Sequence, residues 1–310
     1  MTVTTVAPTE GCTQPALTPT QPVPVPAPAG SPVADAYARL TEAYDGLRVT
    51  ELAPHEPSPR GVGWVGADEL AAGGEALEAF LAWDGEQVLR DYGRPGRPDV
   101  VAGFGLHRYA WTACLLLTVP WFLDRRVPLL PPEAVSFHRT DGRMAIRTRS
   151  FACLPEDPAA VLPGARVVPD EDALRAEVRA AVAQHLEPVM EGFGPRTRRG
   201  RRALWGLITD DVVEGLWYVG SLLGEAEEER AVRELDRLFP GSTAPYSPSY
   251  RWEGPPGGAG FRTLEAPDGR ELPTRDRASC CFFYTIRPDD TCVTCPRTCD
   301  EDRIARLTAA

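Results

Sequence analysis

The chain has 310 residues, 33 basic against 44 acidic, and a formal net charge of −11. Its length supports one large domain or two around an ample apolar core, and its acidic balance argues against a general nucleic-acid role, because phosphate binding needs a positive field. Every basic residue is arginine; the missing lysine reads as a composition bias, and it leaves no place for a standard G-x-x-x-x-G-K-[ST] nucleotide loop.

Residues 1–32 are dense in Pro, Thr and Ala, which predicts a disordered or polyproline-like tail in which Cys12 is incidental. The tail has neither a charged n-region nor an apolar h-region, so a secretory signal is not expected and a reducing cytoplasm is. After it, Asp35 to Leu47 has helical spacing. Asp68 to Tyr92 repeats that spacing through Leu70, Leu77, Leu81 and Val88, despite Gly73-Gly74 near its start. Between them Gly61-Val62-Gly63-Trp64-Val65-Gly66 matches a dinucleotide fingerprint by letters only. The Pro57-Ser58-Pro59-Arg60 ahead of it is no buried strand, so a turn before the second helix suffices.

Leu106, Tyr109, Ala110, Ala113 and Leu117 fall on one face and are flanked by Trp111, Cys114 and Leu116, which predicts a nearly buried helix over Val100 to Val119 with Cys114 as a core thiol. The most apolar stretch, Ala110 to Leu123, is interrupted by Pro120 and is too short to span a bilayer. The expectation is therefore a protein with no transmembrane segment, with room for loose contact with the inner membrane face. Ala134 to His138 and Met144 to Thr148 alternate around Asp141-Gly142, a hairpin signal, and Cys153 just beyond is assigned to packing.

A long helix is predicted from Glu171, with acidic residues at its start and a stripe of Leu174, Val178, Val182, Leu186 and Val189 that includes His185 as a satisfied core histidine. Two more helices follow, one carrying Leu204, Ile208, Val212, Leu216, Val219 and Leu223, the other running from Glu225 to Phe239. Arg196, Arg198, Arg199, Arg201 and Arg202 cluster before Trp205. They read either as a solvated basic turn or as a docking patch for an acidic electron carrier or an anionic chelate, while Trp205 reads as core or as a ligand platform. From Pro240 to Ser279 the chain is loop-rich. Pro255-Pro256-Gly257-Gly258 lies there, and Asp268-Gly269 can turn a hairpin that delivers the chain to Cys280. No G-x-S-x-G elbow or H-E-x-x-H pair occurs, and nothing singles out a catalytic histidine among His55, His107, His138 and His185.

Cys280, Cys281, Cys292 and Cys295 form C-C-x10-C-x2-C. Clustered thiolates are soft ligands for zinc, Cu(I) or iron–sulfur clusters, and ligands this close in sequence converge at little loop-closure cost. Cys292-Val293-Thr294-Cys295 is a knuckle of the zinc type. Its partner is not, since adjacent residues in an extended chain point to opposite faces and Cys280 and Cys281 can share a site only through an unusual backbone bend. An iron–sulfur cluster, a zinc ion and a disulfide framework all stay open on the residues alone. Phe282, Phe283 and Tyr284 either shield such a site from water or pack the C-terminal segment.

Cys280-Cys281-Phe282-Phe283-Tyr284 followed by Cys292-Val293-Thr294-Cys295-Pro296 resembles the C-terminal motif of the FhuF-like ferric siderophore reductases, with weaker support from Arg202-Ala203-Leu204-Trp205-Gly206. The resemblance covers about the last thirty residues. It implies a [2Fe-2S] cluster on Cys280, Cys281, Cys292 and Cys295, through which a ferric siderophore is reduced by one electron in the cytoplasm. Cys299 departs from the motif and reads as a non-ligand. Without a dinucleotide site, the electrons would come from an external donor, a ferredoxin, flavodoxin or flavoprotein.

A competing reading is a non-enzymatic siderophore- or partner-binding module with a structural four-cysteine zinc site. A siderophore synthetase relation finds no nucleotide site to support it. The expected fold is α+β, with a disordered tail over 1–32, a mainly helical FhuF-like body with a small β-hairpin element over 33–275, and a C-terminal four-cysteine iron–sulfur module over 276–310.

Overall fold

The structure, a computed structural model, describes residues 31–240, 258–288 and 291–309. The tail expected over 1–32, Cys12 included, lies outside the described residues except for Ser31 and Pro32, as do Pro255, Pro256 and Gly257. Eight α-helices and nine short strands make up the described part. The fold is mainly helical, as the patterning predicts.

Helix α4 (Pro98–Asp124) is apolar nearly all round and forms the centre, packed by α1 (Ala34–Ala43), α3 (Gly74–Tyr92), α5 (Glu171–Thr197) and α6 (Arg201–Leu223). Leu106, Tyr109, Ala113 and Leu117 of α4 meet Val178, Val182 and Leu186 of α5 and Ile208 and Val212 of α6 in one core. Each such side chain stabilises the fold by about 1.5–3 kcal/mol on burial. The helix runs on through Pro120, where the sequence suggested an interruption. A proline there cannot donate to the carbonyl of Leu116, and the Tyr37 hydroxyl takes that role, donating to it at 3.0 Å. The whole helix is therefore long and apolar enough to cross a membrane by length and composition, yet 78% of its most apolar window is inside the protein.

The single helix expected over Asp68 to Tyr92 is two, α2 (Ala67–Ala72) and α3. Gly73 sits between them at φ 72°, ψ −144°, a region that L-residues avoid, and the chain turns there so that α2 packs on α5. Helix α7 (Glu225–Leu238) lies along α6. His185 is buried on α5 as a core histidine: Nδ1 donates to the Leu130 carbonyl at 2.6 Å and Nε2 accepts from the Tyr109 hydroxyl at 2.7 Å. Cys114 and Cys153 are likewise buried, as expected.

The Asp141-Gly142 hairpin forms from β4 (Val135–His138) and β5 (Arg143–Ile146), with Val135 opposite Ile146. It is the middle of a four-stranded sheet, with β1 (Arg48–Glu51) parallel to β5 and β2 (Trp64–Gly66) antiparallel to β4. Strand β2 falls inside the glycine-rich run, which is a turn with Val62 almost fully exposed. A second sheet is ordered β3 (Val127–Pro128), β6 (Phe151–Cys153), β7 (Ala165–Val167). The Asp268-Gly269 hairpin, β8 (Phe261–Glu265) with β9 (Glu271–Arg275), leads the chain to the cysteines, and α8 (Asp300–Ala309) follows them.

Candidate metal centre

One buried carboxylate ties the cysteine segment to the body. Asp210 interrupts the apolar run of α6 and is fully buried. Its Oδ1 accepts from Arg275 Nη2 at 2.7 Å and from the Ala278 N–H at 2.8 Å; Oδ2 accepts from the Ser279 N–H at 2.9 Å and from Arg277 Nε at 3.4 Å. Burial pushes the carboxyl up, and the two guanidiniums pull against that. Four donors fill a carboxylate's accepting capacity. Two of them are the amides just ahead of Cys280, so the geometry of the doublet is set from α6.

The bend that the adjacent cysteines require is present. Phe282 follows them at φ 63°, ψ 16°, left-handed for a non-glycine residue, and its N–H lies 3.4 Å from Cys280 Sγ. The chain then tightens into a 3₁₀ turn over Phe283–Thr285. On the other side, the Cys295 N–H donates to the Cys292 carbonyl at 3.0 Å and the Thr298 N–H to the Cys295 carbonyl at 3.0 Å, which makes the knuckle two successive turns. Thr294 Oγ1 donates to Glu214 of α6 at 3.0 Å. Arg303 of α8, itself buried, donates to the carbonyls of Arg275 and Cys295 and to Asp276.

These two turns bring Cys281 and Cys292 into hydrogen-bond contact. The two thiols titrate together: the hydrogen bond between them, helped by the nearby Arg277 charge, pulls the Cys281 thiol down to about 5, and the same bond pushes Cys292 up. Cys280 and Cys295 are close enough to repel them electrostatically. All seven described cysteines are free thiols. Cys299 is exposed.

Three side chains that sequence reasoning did not single out line this site. Arg277 is buried, with Nη1 3.9 Å from Cys292 Sγ, and its Nη2 has no hydrogen-bond partner among the described residues. Asp211, the neighbour of Asp210, is fully buried; Oδ1 bonds His107 Nδ1 while Oδ2 has no partner among the described residues. Burial against that imidazole leaves the Asp211 carboxyl at about 6. Burial alone would lower the His107 pKa, and Asp211 more than reverses this; the imidazole in turn helps hold Cys281 as thiolate. A visible signal existed, since Asp210-Asp211 sits between Ile208-Thr209 and Val212-Val213 in an otherwise apolar stripe, where charge is costly unless paired.

The arginine cluster does not form one patch. Arg199 turns inward, donates to the Cys280 carbonyl and stacks over the Phe282 ring at 4.0 Å. Arg196 pairs with Glu78, and Arg201 with Glu187 and Glu191 of α5. Arg198 is exposed and Arg202 lies exposed in the first turn of α6. Trp205 is 5% exposed, which makes it a core residue and not a platform.

Residues 277–297 match the family model of the FhuF 2Fe-2S C-terminal domain. The FhuF-type segment starts at Arg277 and ends two residues past Cys295, so it holds all four motif cysteines and leaves out Cys299, the Leu-Trp-Gly start of α6 and the body. No curated protein matches the chain.

Among the described residues no three Cys, His, Asp or Glu side chains are spaced to hold a single metal ion. The donor chemistry nonetheless fits a cluster with four thiolate ligands. Four thiols lie on two adjoining turns, hydrogen bonding and the Arg277 charge favour the thiolate at Cys281, and the Arg277 guanidinium, 3.9 Å from Cys292 Sγ, retains an unpartnered N–H.

Proposed function

We propose that Cys280, Cys281, Cys292 and Cys295 hold a [2Fe-2S] cluster and that the chain is a ferric siderophore reductase. The observation that carries this reading is the FhuF-type match over the segment that holds those thiols, where a buried arginine with an unused donor lies against Cys292. When bound, the cluster supplies reversible one-electron transfer, which is what Fe³⁺ to Fe²⁺ conversion needs.

The residues of this chain do the rest. Asp210 fixes the doublet, and Arg277 places a cation against the sulfur of Cys292, favouring added negative charge there. Tyr92 packs edge-on and Phe104 at a tilt against Phe283, and Arg199 covers Phe282, which limits water around the doublet. Reduction weakens the hold of hard oxygen donors on iron, so the metal leaves its chelate without any covalent bond being cut and no general base is required. The electron comes from a separate reduced carrier, a ferredoxin, flavodoxin or flavoprotein, in the reducing cytoplasm.

Purified anaerobically, the protein should be brown, contain about two irons and about two sulfides per chain, and give a reduced-state EPR signal that a ferric trihydroxamate abolishes. Colourless protein carrying one zinc per chain would overturn the reading in favour of a structural zinc module. Fast direct oxidation of NADPH by the protein alone would overturn the need for a carrier.

A further inference from the structure

A cavity of about 910 Å³ opens beside the cysteine segment, between α3, the 93–97 loop with the start of α4, and the end of α5. Its volume suits a drug-sized ligand. Three arginines, Arg97, Arg196 and Arg198, line it against two carboxylates, Glu78 and Asp99, so it is net positive on a chain whose overall charge is −11. Arg97 is paired with Asp99 at 2.8 Å and Arg196 with Glu78. Arg198 feels Asp99 electrostatically but forms no hydrogen bond or ion pair among the described residues. The remaining wall, including Leu81, Ala82 and Val101, is apolar.

The position matters as much as the charge. Val101 of the wall packs with Ile286 and Phe282 of the cysteine segment in one apolar cluster. A Cβ on Gly96, also in the wall, would stand 3.6 Å from Ile286 Cδ1. Arg199, next to Arg198, reaches the Cys280 carbonyl from the other side of the same turn. A ligand in the cavity therefore lies next to the layer that covers the cysteine doublet.

We infer that this cavity seats the iron chelate and selects chelates of net negative charge, catecholate or carboxylate in type, through Arg198. The inference rests on the reductase reading for its redox purpose and on the cavity alone for its binding.

Redox-inert gallium(III) complexes separate the two. Titration calorimetry on the full chain should show the trianionic gallium(III) tris-catecholate binding more tightly than a neutral gallium(III) tris-hydroxamate. Arg198→Glu should weaken the trianion about tenfold at low ionic strength, less in high salt, and the neutral complex by less than about twofold. Ala82→Trp, which fills the cavity from an exposed position, should weaken both about tenfold. Wild-type preference for the neutral complex, or unchanged affinities in both variants, overturns the inference. The expected binding pattern without reduction of the ferric tris-hydroxamate by protein reduced with dithionite and freed of the excess overturns the reductase reading and leaves the cavity as a chelate-binding site.

Discussion

Two buried polar sites in this molecule, built on neighbouring helices, have opposite characters. Around His185 every polar atom is matched: one ring nitrogen donates, the other accepts, and burial holds the imidazole neutral, with its pKa lowered to about 4. Around Cys281 the matching is incomplete, because Arg277 Nη2 and Asp211 Oδ2 have no partner among the described residues. Buried polar groups left unmatched cost about 1–3 kcal/mol each, so natural proteins keep few of them without a use. Unmatched atoms occur in the body too, Trp121 Nε1 for one. What marks the cysteine site is the coincidence of such atoms with four gathered thiols. A closed network specifies a fold; an open one leaves bonding capacity for a guest.

The strongest way to break this comparison is to remove the thiols. Cys281→Ser or Cys292→Ser should abolish the visible absorption, the iron content and chelate reduction, while the helical far-ultraviolet signal is kept. Unchanged spectra and turnover would show that the ligands are misassigned. Next in size is the anchor that holds the open site to the closed body. Asp210→Ala leaves the fully buried Arg275 with Glu214 as its remaining carboxylate and leaves two amides without their acceptor, and breaking a buried pair in this way costs up to about 3–5 kcal/mol. A urea midpoint close to wild type would mean that Asp210 is not the organiser of the doublet.

The two sites also differ in how far the sequence announced them. His185 shares a helical stripe with five apolar residues, and periodicity alone placed it in the core. The long helices and both Asp-Gly hairpins were legible for the same reason, since their signals are local and repeat over many residues. The cysteine spacing likewise announced the segment that matches the FhuF 2Fe-2S C-terminal domain. What stayed hidden depends on distant partners: Asp210 has meaning only through Arg275, Arg277 and the amides of Ala278 and Ser279, the nearest of them 65 residues away, and His107 only through Asp211, 104 residues away. The arginine cluster looked like one surface in sequence, but the left-handed Arg198 at the α5–α6 turn sends Arg199 inward to Cys280 while Arg196 and Arg201 pair with glutamates on α3 and α5. Strands β2, β3 and β7 are two or three residues long, too short for alternation to show.

The closed site makes its own prediction with pH. The folded-state pKa of His185 is lowered from 6.5 to about 4 by burial. As pH falls below 6.5 the unfolded chain binds a proton that the folded one refuses, so stability is lost through that window, by about 3 kcal/mol once pH is below about 4. Asp211, raised to about 6, acts in the opposite direction, favouring the folded state as it protonates. The clean quantity is therefore the difference between wild type and His185→Gln in urea-derived stability at several pH values from 6.5 down to 4. It should shrink as the pH is lowered; a pH-independent difference would mean that the imidazole is not held neutral.

The smallest effect tests the open site without emptying it. Arg277→Gln keeps a polar but shorter side chain and removes the cation beside Cys292. Added negative charge at the thiolates is then less well compensated, so the midpoint potential should fall by about 60 mV, a tenfold change in a one-electron equilibrium. Iron content and the EPR line shape should stay near wild type, because Arg277 is not a ligand. Arg277→Lys should recover part of the shift, since the charge returns but the planar fork that also reaches Asp210 and Glu214 does not. If the potential of Arg277→Gln equals that of the wild type, the unmatched donor is a packing accident, and the contrast with His185 rests on the thiols alone.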